Sequence, residues 1–382
     1  MNIIADQNMP GIEATFGRHG HVTRVDGRHV SRDQLLHADV LLVRSVTQVD
    51  PALLEGTPVR FVGSATIGTD HLDLEGLHAA GIPAVHAPGC NAEGVVDYVL
   101  SSLLLACQRE QCQISDKTIG VVGVGQVGGR LVARLEALGL SVLACDPPRA
   151  EREGDTEHFV ALDELLARSS VICCHTPLVR DGAHPTHHLL DAARIEALSP
   201  GTWLLNAGRG SCIDTAALGA RLERAGDLTV MLDVWENEPD IDDALRQRVD
   251  LATPHIAGYS LEGRLRGTMM LYEAFTEWAG VTAEVELADV LAPPVVATLG
   301  VGQAEASPQR LWQALSHAIF DVRRDADLFD RYCRRFGVAT GFDRYRKEYP
   351  ERREFGSTVV YGSREQADSI RALGFQWVED GL

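Results

Sequence analysis

Apolar runs of three to five residues recur along the chain, and between them the apolar positions fall three and four apart. Segments 1–5, 22–25, 40–43 and 59–62 begin and end on apolar residues and read as strands, with short helices or turns over 11–17, 32–37 and 51–54. A second series comprises 118–122, 141–145, 171–174, 203–205 and 230–232, separated by helical patterns such as 130–138 and 214–225. Unbroken apolar runs suit strands buried on both faces, and strands alternating with helices build parallel sheets. Two doubly wound α/β units in tandem are the economical reading.

Residues 92–107 are apolar nearly all round, through Val95, Val96, Val99, Leu100, Leu103, Leu104 and Leu105. This stretch fits a buried helix passing from one unit to the next and is too short to span a bilayer. Residues 261–278 read as a helix that returns to the first unit. After Gly280 the pattern changes. Pro293-Pro294 and residues 300–307 look irregular and extended, 308–324 reads as one helix, and 358–361 with 363–373 as a strand and a helix. The expected fold class is α/β with two doubly wound parallel-sheet domains and a small C-terminal α+β domain. The first domain is discontinuous (1–92 and 258–281) and flavodoxin-like, the second (93–257) is a Rossmann domain, and the third covers 282–382.

Charge narrows the partners. Thirty-five basic against 54 acidic residues leave −19 at neutral pH, which disfavours a phosphate backbone as partner. No run of about 18 apolar residues offers a membrane span, and the first residues lack the pattern of a signal peptide. The eight cysteines have no zinc-ribbon spacing and no C-x-x-C pair, so they read as reduced and buried. A cytoplasmic protein without nucleic-acid or membrane partners is expected.

The run 118–122 leads directly into Gly123-Val124-Gly125-Gln126-Val127-Gly128, and a helical pattern follows. Between strand and helix, each glycine of G-x-G-x-x-G has a task. Gly123 permits the tight turn, Gly125 lets a pyrophosphate approach the backbone, and Gly128 lets helix and strand pack closely. Amides at the helix start, over Gln126 and Val127, would face the pyrophosphate. Asp146 ends the next strand, 23 residues after Gly123, placed to accept ribose hydroxyls and to repel a 2′-phosphate. NAD is favoured over NADP, although the nearby Arg149 could accommodate that phosphate.

Three further segments end strands of the second series: Asn206-Ala207-Gly208-Arg209-Gly210, Asp233 to Pro239, and Thr253-Pro254-His255-Ile256-Ala257-Gly258. They present Arg209, Glu238 and His255. Oxidising an alcohol with NAD requires a group to take the hydroxyl proton, which neutral histidine does near physiological pH. A carboxylate partner fixes its tautomer and favours its protonated form. A guanidinium can grip a substrate carboxylate with two prongs. No step of this chemistry calls for a metal.

In these motifs the sequence resembles the NAD-dependent D-2-hydroxyacid dehydrogenases over residues 1–280. The resemblance implies that Arg209 binds substrate, His255 is the acid/base group and Glu238 its partner. It also implies that Asp233 and Gly258 line the nicotinamide side and that Thr176 contacts the cofactor. Val43-Arg44-Ser45 and the loop from Gly63 to Asp70 look like the family's substrate loops, with amides of the second holding a carboxylate. Arg44-Ser45-Val46-Thr47-Gln48-Val49, Ala87-Pro88-Gly89-Cys90-Asn91 and Pro254 to Ser260 narrow the likeness. They are similar to members with a C-terminal extension that act on a phosphorylated four-carbon hydroxy acid and form homodimers through the extension. That likeness implies substrate contacts from Ser45, Thr66 and Tyr259. A sibling with another hydroxy acid as substrate, and a non-enzymatic NAD sensor on the same fold, stay open at this point.

The far end of such a substrate needs positive charge. Arg44 is the nearest candidate; residues 331–354 hold eight basic side chains against four acidic ones. These either reach an active site or form a solvated face with local acidic partners. His184, His187 and His188 lie in a polar loop without zinc spacing, so no metal site is expected.

Overall fold

The computed structural model describes residues 1–154, 158–302 and 307–380. Its packing divides the chain into two units, Met1–Ala92 with Tyr259–Pro293, and Glu93–Gly258 with Pro294–Leu382. No helix among the described residues is long and apolar enough to cross a membrane.

The first unit is built on five strands, β1 (Asn2–Asp6), β2 (His21–Val25), β3 (Val40–Val43), β4 (Phe61–Ser64) and β5 (Ala84–His86). They pair in parallel in the order β2-β1-β3-β4-β5, the flavodoxin-like arrangement expected. Side chains alternate across a strand, and here both faces are covered. Ile3, Ala5, Val40, Leu42 and Phe61 pack with Leu271, Tyr272 and Phe275 of the Leu261–Ala279 helix. Ile4, Leu41, Val43 and Val62 pack on the opposite face with Leu35, Leu54 and Leu77. The returning helix is therefore part of this core. Strand β5 is absent from the apolar pattern because it has three residues, all only half-buried.

The second unit holds β6 (Thr118–Val122), β7 (Ser141–Cys145), β8 (Val171–Cys174), β9 (Trp203–Asn206), β10 (Thr229–Leu232) and β11 (Leu251–Ala252). Their order is β11-β10-β9-β8-β6-β7. Beyond β7 a single parallel bridge joins Ala144 to Phe159, where the usual Rossmann sheet has a further strand. Strand order reverses between β6 and β8, so their carboxyl ends frame the ligand crevice of such a sheet.

The C-terminal part carries a small parallel sheet of β12 (Thr298–Gly300), β13 (Val359–Gly362) and β14 (Gln376–Glu379). The single helix expected over 308–324 is two, Pro308–Ile319 and Val322–Phe336. Phe320 turns extended, and Asp321 caps the second helix by accepting from the Arg323 amide. The break places the Phe320 carbonyl on the Ser101 hydroxyl of the Ala92–Glu110 helix at 2.9 Å. Gln309 likewise accepts from the Ile114 amide at 2.7 Å and donates to the Cys112 carbonyl at 2.8 Å. Of the extended stretch expected at 300–307, residues 303–306 lie outside the described residues.

Phe275 is fully buried, with ring centroids 5.1 Å from Phe16 and 5.8 Å from Phe61. Phe275→Ala should cost the first unit about 3–5 kcal/mol of stability in urea unfolding; a loss below about 1 kcal/mol would contradict this core.

Candidate active site

The glycine loop follows from contacts that a side chain could not make. Gly123 has φ +85°, and a Cβ there would stand 2.8 Å from the Thr176 amide. At Gly128, inside the Gln126–Ala137 helix, a Cβ would lie 1.9 Å from the Gly123 carbonyl. At Gly125 it would meet nothing within 4 Å. Two glycines thus serve packing, and the middle one leaves open space beside the backbone.

That space belongs to a cavity of about 1040 Å³, lined by the glycine loop, Gln126, Asp146, His175, Thr176 and their neighbours. Asp146 takes the Val124 amide at 2.7 Å with one carboxylate oxygen and the Arg149 amide at 3.0 Å with the other. Arg149 bonds the Val124 carbonyl at 2.8 Å and Glu153 at 2.9 Å. Both nitrogens of His175 are buried and lack a partner among the described residues, and burial pushes its pKa down to about 4, so the ring is neutral. An open cradle at Gly125, amides at a helix start and orphaned ring nitrogens fit a dinucleotide. Asp233 and Gly258 are absent from this lining: Asp233 opens the loop after β10 and bonds to the segment 253–258, which Gly258 ends.

The catalytic candidates converge through local backbone contacts. After β9, the Asn206 side chain accepts from the Gly208 amide at 3.0 Å and donates to the Arg209 carbonyl at 2.9 Å. A Cβ on Gly210 would be 1.9 Å from the Trp235 carbonyl carbon, so this glycine lets the Arg209 turn lie against the Asp233–Pro239 loop. Glu238 accepts from the Trp235 amide at 2.9 Å with one oxygen and meets His255 Nδ1 at 2.7 Å with the other. That bond assigns the proton to Nδ1 and leaves Nε2 as the acceptor. Burial works to raise the Glu238 pKa, but the His255 charge and hydrogen bond, the Arg346 charge and the Trp235 amide outweigh it and hold it below the ordinary 4.5.

His255 itself sits at φ +57°, a region that side chains disfavour. Asp233 holds it there. Its backbone carbonyl accepts from the His255 amide at 2.6 Å. Its carboxylate accepts from the amides of Ile256 at 2.8 Å and Ala257 at 2.9 Å and from the Thr253 hydroxyl at 2.7 Å. Thr253 is fixed in turn by Tyr98 at 2.7 Å, and its carbonyl by the Trp235 indole at 2.9 Å. Burial raises the Asp233 pKa against the pull of His255 and these donors.

In the first unit, the Arg44 guanidinium donates to the Tyr259 hydroxyl at 2.8 Å and lies 5.4 Å from the centre of its ring. Ser45 beside it is exposed. Thr66 donates to the Gly68 carbonyl at 3.1 Å and meets Ser64 at 2.8 Å. Arg264 donates to the Asn8 carbonyl at 2.8 Å, and its Nε is buried without a partner among the described residues. Burial, then the charge of Arg44, lowers its pKa. Asn8 follows β1 and Arg44 follows β3, the two strands between which the order reverses.

The basic C-terminal stretch divides. Arg331, Arg334 and Arg344 pair locally with Asp327, Asp330 and Glu348 at 3.0, 2.6 and 2.8 Å, whereas Arg352 is buried among backbone carbonyls of the second unit. In sequence Arg352 was one of eight basic side chains of a charged stretch with nothing to single it out, and Arg264, shortly after the Pro254 to Ser260 motif, was not marked. In the histidine loop, His188 bonds Glu236 at 2.8 Å and stacks on His187 at 4.2 Å between ring centres. The ligand atoms of these three residues lie within 4.8 Å of one another, a grouping that spacing alone did not indicate.

Residues 105–257 match the D-isomer specific 2-hydroxyacid dehydrogenase NAD-binding domain, and 290–374 match a domain of unknown function. The chain is 52% identical to erythronate-4-phosphate dehydrogenase of Chromohalobacter salexigens, over 98% of both chains. Identity to the enzyme of that name from Pseudomonas aeruginosa is 50%, covering 99% of this chain and all of that one. This chain belongs to the D-isomer specific 2-hydroxyacid dehydrogenase family. It is an NAD(P)-binding oxidoreductase of that family. Solved structures share the fold. The NAD+-bound 3-phosphoglycerate dehydrogenase of Entamoeba histolytica matches with a TM-score of 0.63 at 23% identity, over 74% of this chain and 97% of that one. D-Lactate dehydrogenase of Aquifex aeolicus, solved with NAD and lactic acid, matches at 0.60 and 23%, over 73% and 96%.

The glycine contacts separate two effects. Gly128→Ala should destabilise the second unit by about 1–3 kcal/mol through overpacking, seen as a lower Tm. Gly125→Ala should instead weaken NADH binding by about fivefold or more, roughly 1 kcal/mol, with a smaller change in Tm. The reverse ranking would contradict the assignment.

Proposed function

We propose that this dehydrogenase oxidises 4-phospho-D-erythronate at C2 to 2-oxo-3-hydroxy-4-phosphobutanoate, on the route to pyridoxal 5′-phosphate. The observation that carries the choice of substrate is identity of about half over nearly the whole chain to relatives of that name, extension included. The His255–Glu238 pair supports the chemistry.

In the oxidising direction His255 Nε2 takes the proton of the C2 hydroxyl. Glu238 stabilises the imidazolium that results, and Arg209 grips the substrate carboxylate and C2 oxygen. Bound NAD supplies the hydride acceptor, at nicotinamide C4. The loop of Gly123, Gly125, Gln126, Val127 and Gly128 would hold its pyrophosphate, Gly123 and Gly128 by shaping the turn and Gly125 with the helix-start amides by facing it, while Asp146 would take its ribose hydroxyls and Thr176 a neighbouring part. Asp233 and Gly258 would line the nicotinamide side. NAD is preferred to NADP, since Asp146 would repel a 2′-phosphate and Arg149 is engaged by Glu153 and Val124. Ser45, Thr66 and Tyr259 contact the substrate. Arg44, with the buried Arg264 near it, supplies charge for the phosphate at the reversal point of the first sheet. The active species is a cytoplasmic homodimer joined through residues 282–382.

The direct test follows NADH absorbance with 4-phospho-D-erythronate, 3-phospho-D-glycerate and D-glycerate in turn. A preference for phosphoerythronate of about tenfold or more in kcat/KM, roughly 1.4 kcal/mol, is expected. Preference for 3-phosphoglycerate would overturn the substrate while leaving the family and catalytic roles intact. Arg44→Ala should raise KM for the phosphorylated substrate by about tenfold or more, with D-glycerate little affected.

A pH prediction follows from Glu238. A depressed carboxyl keeps its charge until pH falls through its folded value, which lies below 4.5, so the carboxylate that orients His255 and stabilises the imidazolium formed in the reaction is charged throughout neutral pH. Glu238→Gln should therefore lower kcat at every pH from about 6 to 9 by about 10²-fold or more. Loss confined to the acid end would show that Glu238 acts otherwise.

A further inference from the structure

We propose that Arg352, contributed by the C-terminal domain, is a positioning residue for the dehydrogenase reaction, its guanidinium holding the loop that carries His255. This rests on the assignment of His255 as the acid/base group. Arg352 is 3% exposed. It donates to the carbonyls of Gly94 at 2.9 Å, of Ala257, and of Ile256 at 3.4 Å, and its guanidinium carbon lies 4.3 Å from the centre of the Phe320 ring.

The geometry makes a clamp. The amides of Ile256 and Ala257 point to the Asp233 carboxylate, and the carbonyls of the same two residues point to Arg352. An anion and a cation thereby grip opposite edges of one dipeptide, immediately after a histidine in the left-handed region. Such backbone persists only where its surroundings over-determine it. The segment that delivers Arg352 is itself tied down. The Phe355 amide donates to Asp97 at 2.8 Å, Asp97 pairs with Arg134 at 2.8 Å, and Arg134 donates to the Leu373 carbonyl at 3.4 Å. The bond to Gly94 adds the start of the Ala92–Glu110 helix to the same fork. Arginine suits the position because one planar group reaches several carbonyls while its face rests on an aromatic ring, and a lysine ammonium cannot reproduce that arrangement. The C-terminal domain is on this account a structural part of the catalytic machinery.

The test uses the full chain with Arg352→Ala and Arg352→Lys. Initial rates with 4-phospho-D-erythronate and NAD give kcat and KM, NADH fluorescence gives cofactor affinity, and hydrogen exchange reports the Ile256 and Ala257 amides. A misplacement of this kind costs about 30- to 100-fold, so Arg352→Ala should lose that much kcat. Its KM and NADH affinity should stay within about threefold. Guanidinium at about 10 mM should restore turnover several-fold in this variant and not in the wild type, by filling the vacated fork. Arg352→Lys should fall between, and it carries the test where the alanine variant does not fold. In both variants the two amides should exchange about tenfold faster or more. Full kcat in a folded variant, or kcat lost together with NADH affinity and without rescue, would overturn the proposal. Wild-type protein that oxidises none of the hydroxy acids would defeat the proposed function; unchanged amide exchange would still defeat the clamp.

Discussion

A loop that holds a non-glycine residue in the left-handed region needs partners for its backbone on every side, and here the buried Asp233 carboxylate is the main one. It satisfies two consecutive amides and a threonine hydroxyl, while its own carbonyl takes the amide of His255. The histidine can then meet Glu238 through Nδ1 with Nε2 left over, which is what a proton acceptor requires. Burying a carboxylate is unfavourable by itself, and burial does raise the Asp233 pKa. The donors converging on it make that burial tenable, so the loop and the carboxylate stabilise one another.

The same economy recurs in the rest of the second unit. Glycine at 123, 128 and 210 lets backbone lie against backbone, which brings the strand ends bearing Thr176, Arg209 and Asp233 close together. Gly125 lines the cavity and has open space where a Cβ would stand. In the first unit, charge rather than close backbone approach marks the reversal point of the sheet: Arg44 is steadied by Tyr259, and a second guanidinium, Arg264, lies partly desolvated within its electrostatic range. Two cations near one another, one with an unpartnered nitrogen, form an environment that an anion would stabilise.

Much of this was legible in sequence because the signals were local. Buried parallel strands announce themselves as apolar runs, and β3, β6, β7 and β8 have the expected limits. The glycine fingerprint and the Arg209, Glu238 and His255 motifs each sit in a few adjacent residues. What stayed hidden was non-local or short. Strands β5 and β11 have three and two residues, too few for a periodicity. The helix break at Phe320 follows from a contact with Ser101, 219 residues away. Arg352 lies 95 and 96 residues from the carbonyls it holds, and nothing in its neighbours distinguishes it from the solvated arginines of the preceding helices. Asp233 was legible as a site residue, but its grip on the loop depends on the fold.

In the proposed reaction a hydride leaves C2 of the substrate for the cofactor while His255 takes the hydroxyl proton. The most direct measurement is a single turnover of 4-phospho-D-erythronate deuterated at C2 with NAD, followed by NMR of the reduced cofactor. Direct hydride transfer should leave one deuterium at nicotinamide C4 and give a slower hydride step than with protium. Reduced cofactor formed without deuterium would contradict it.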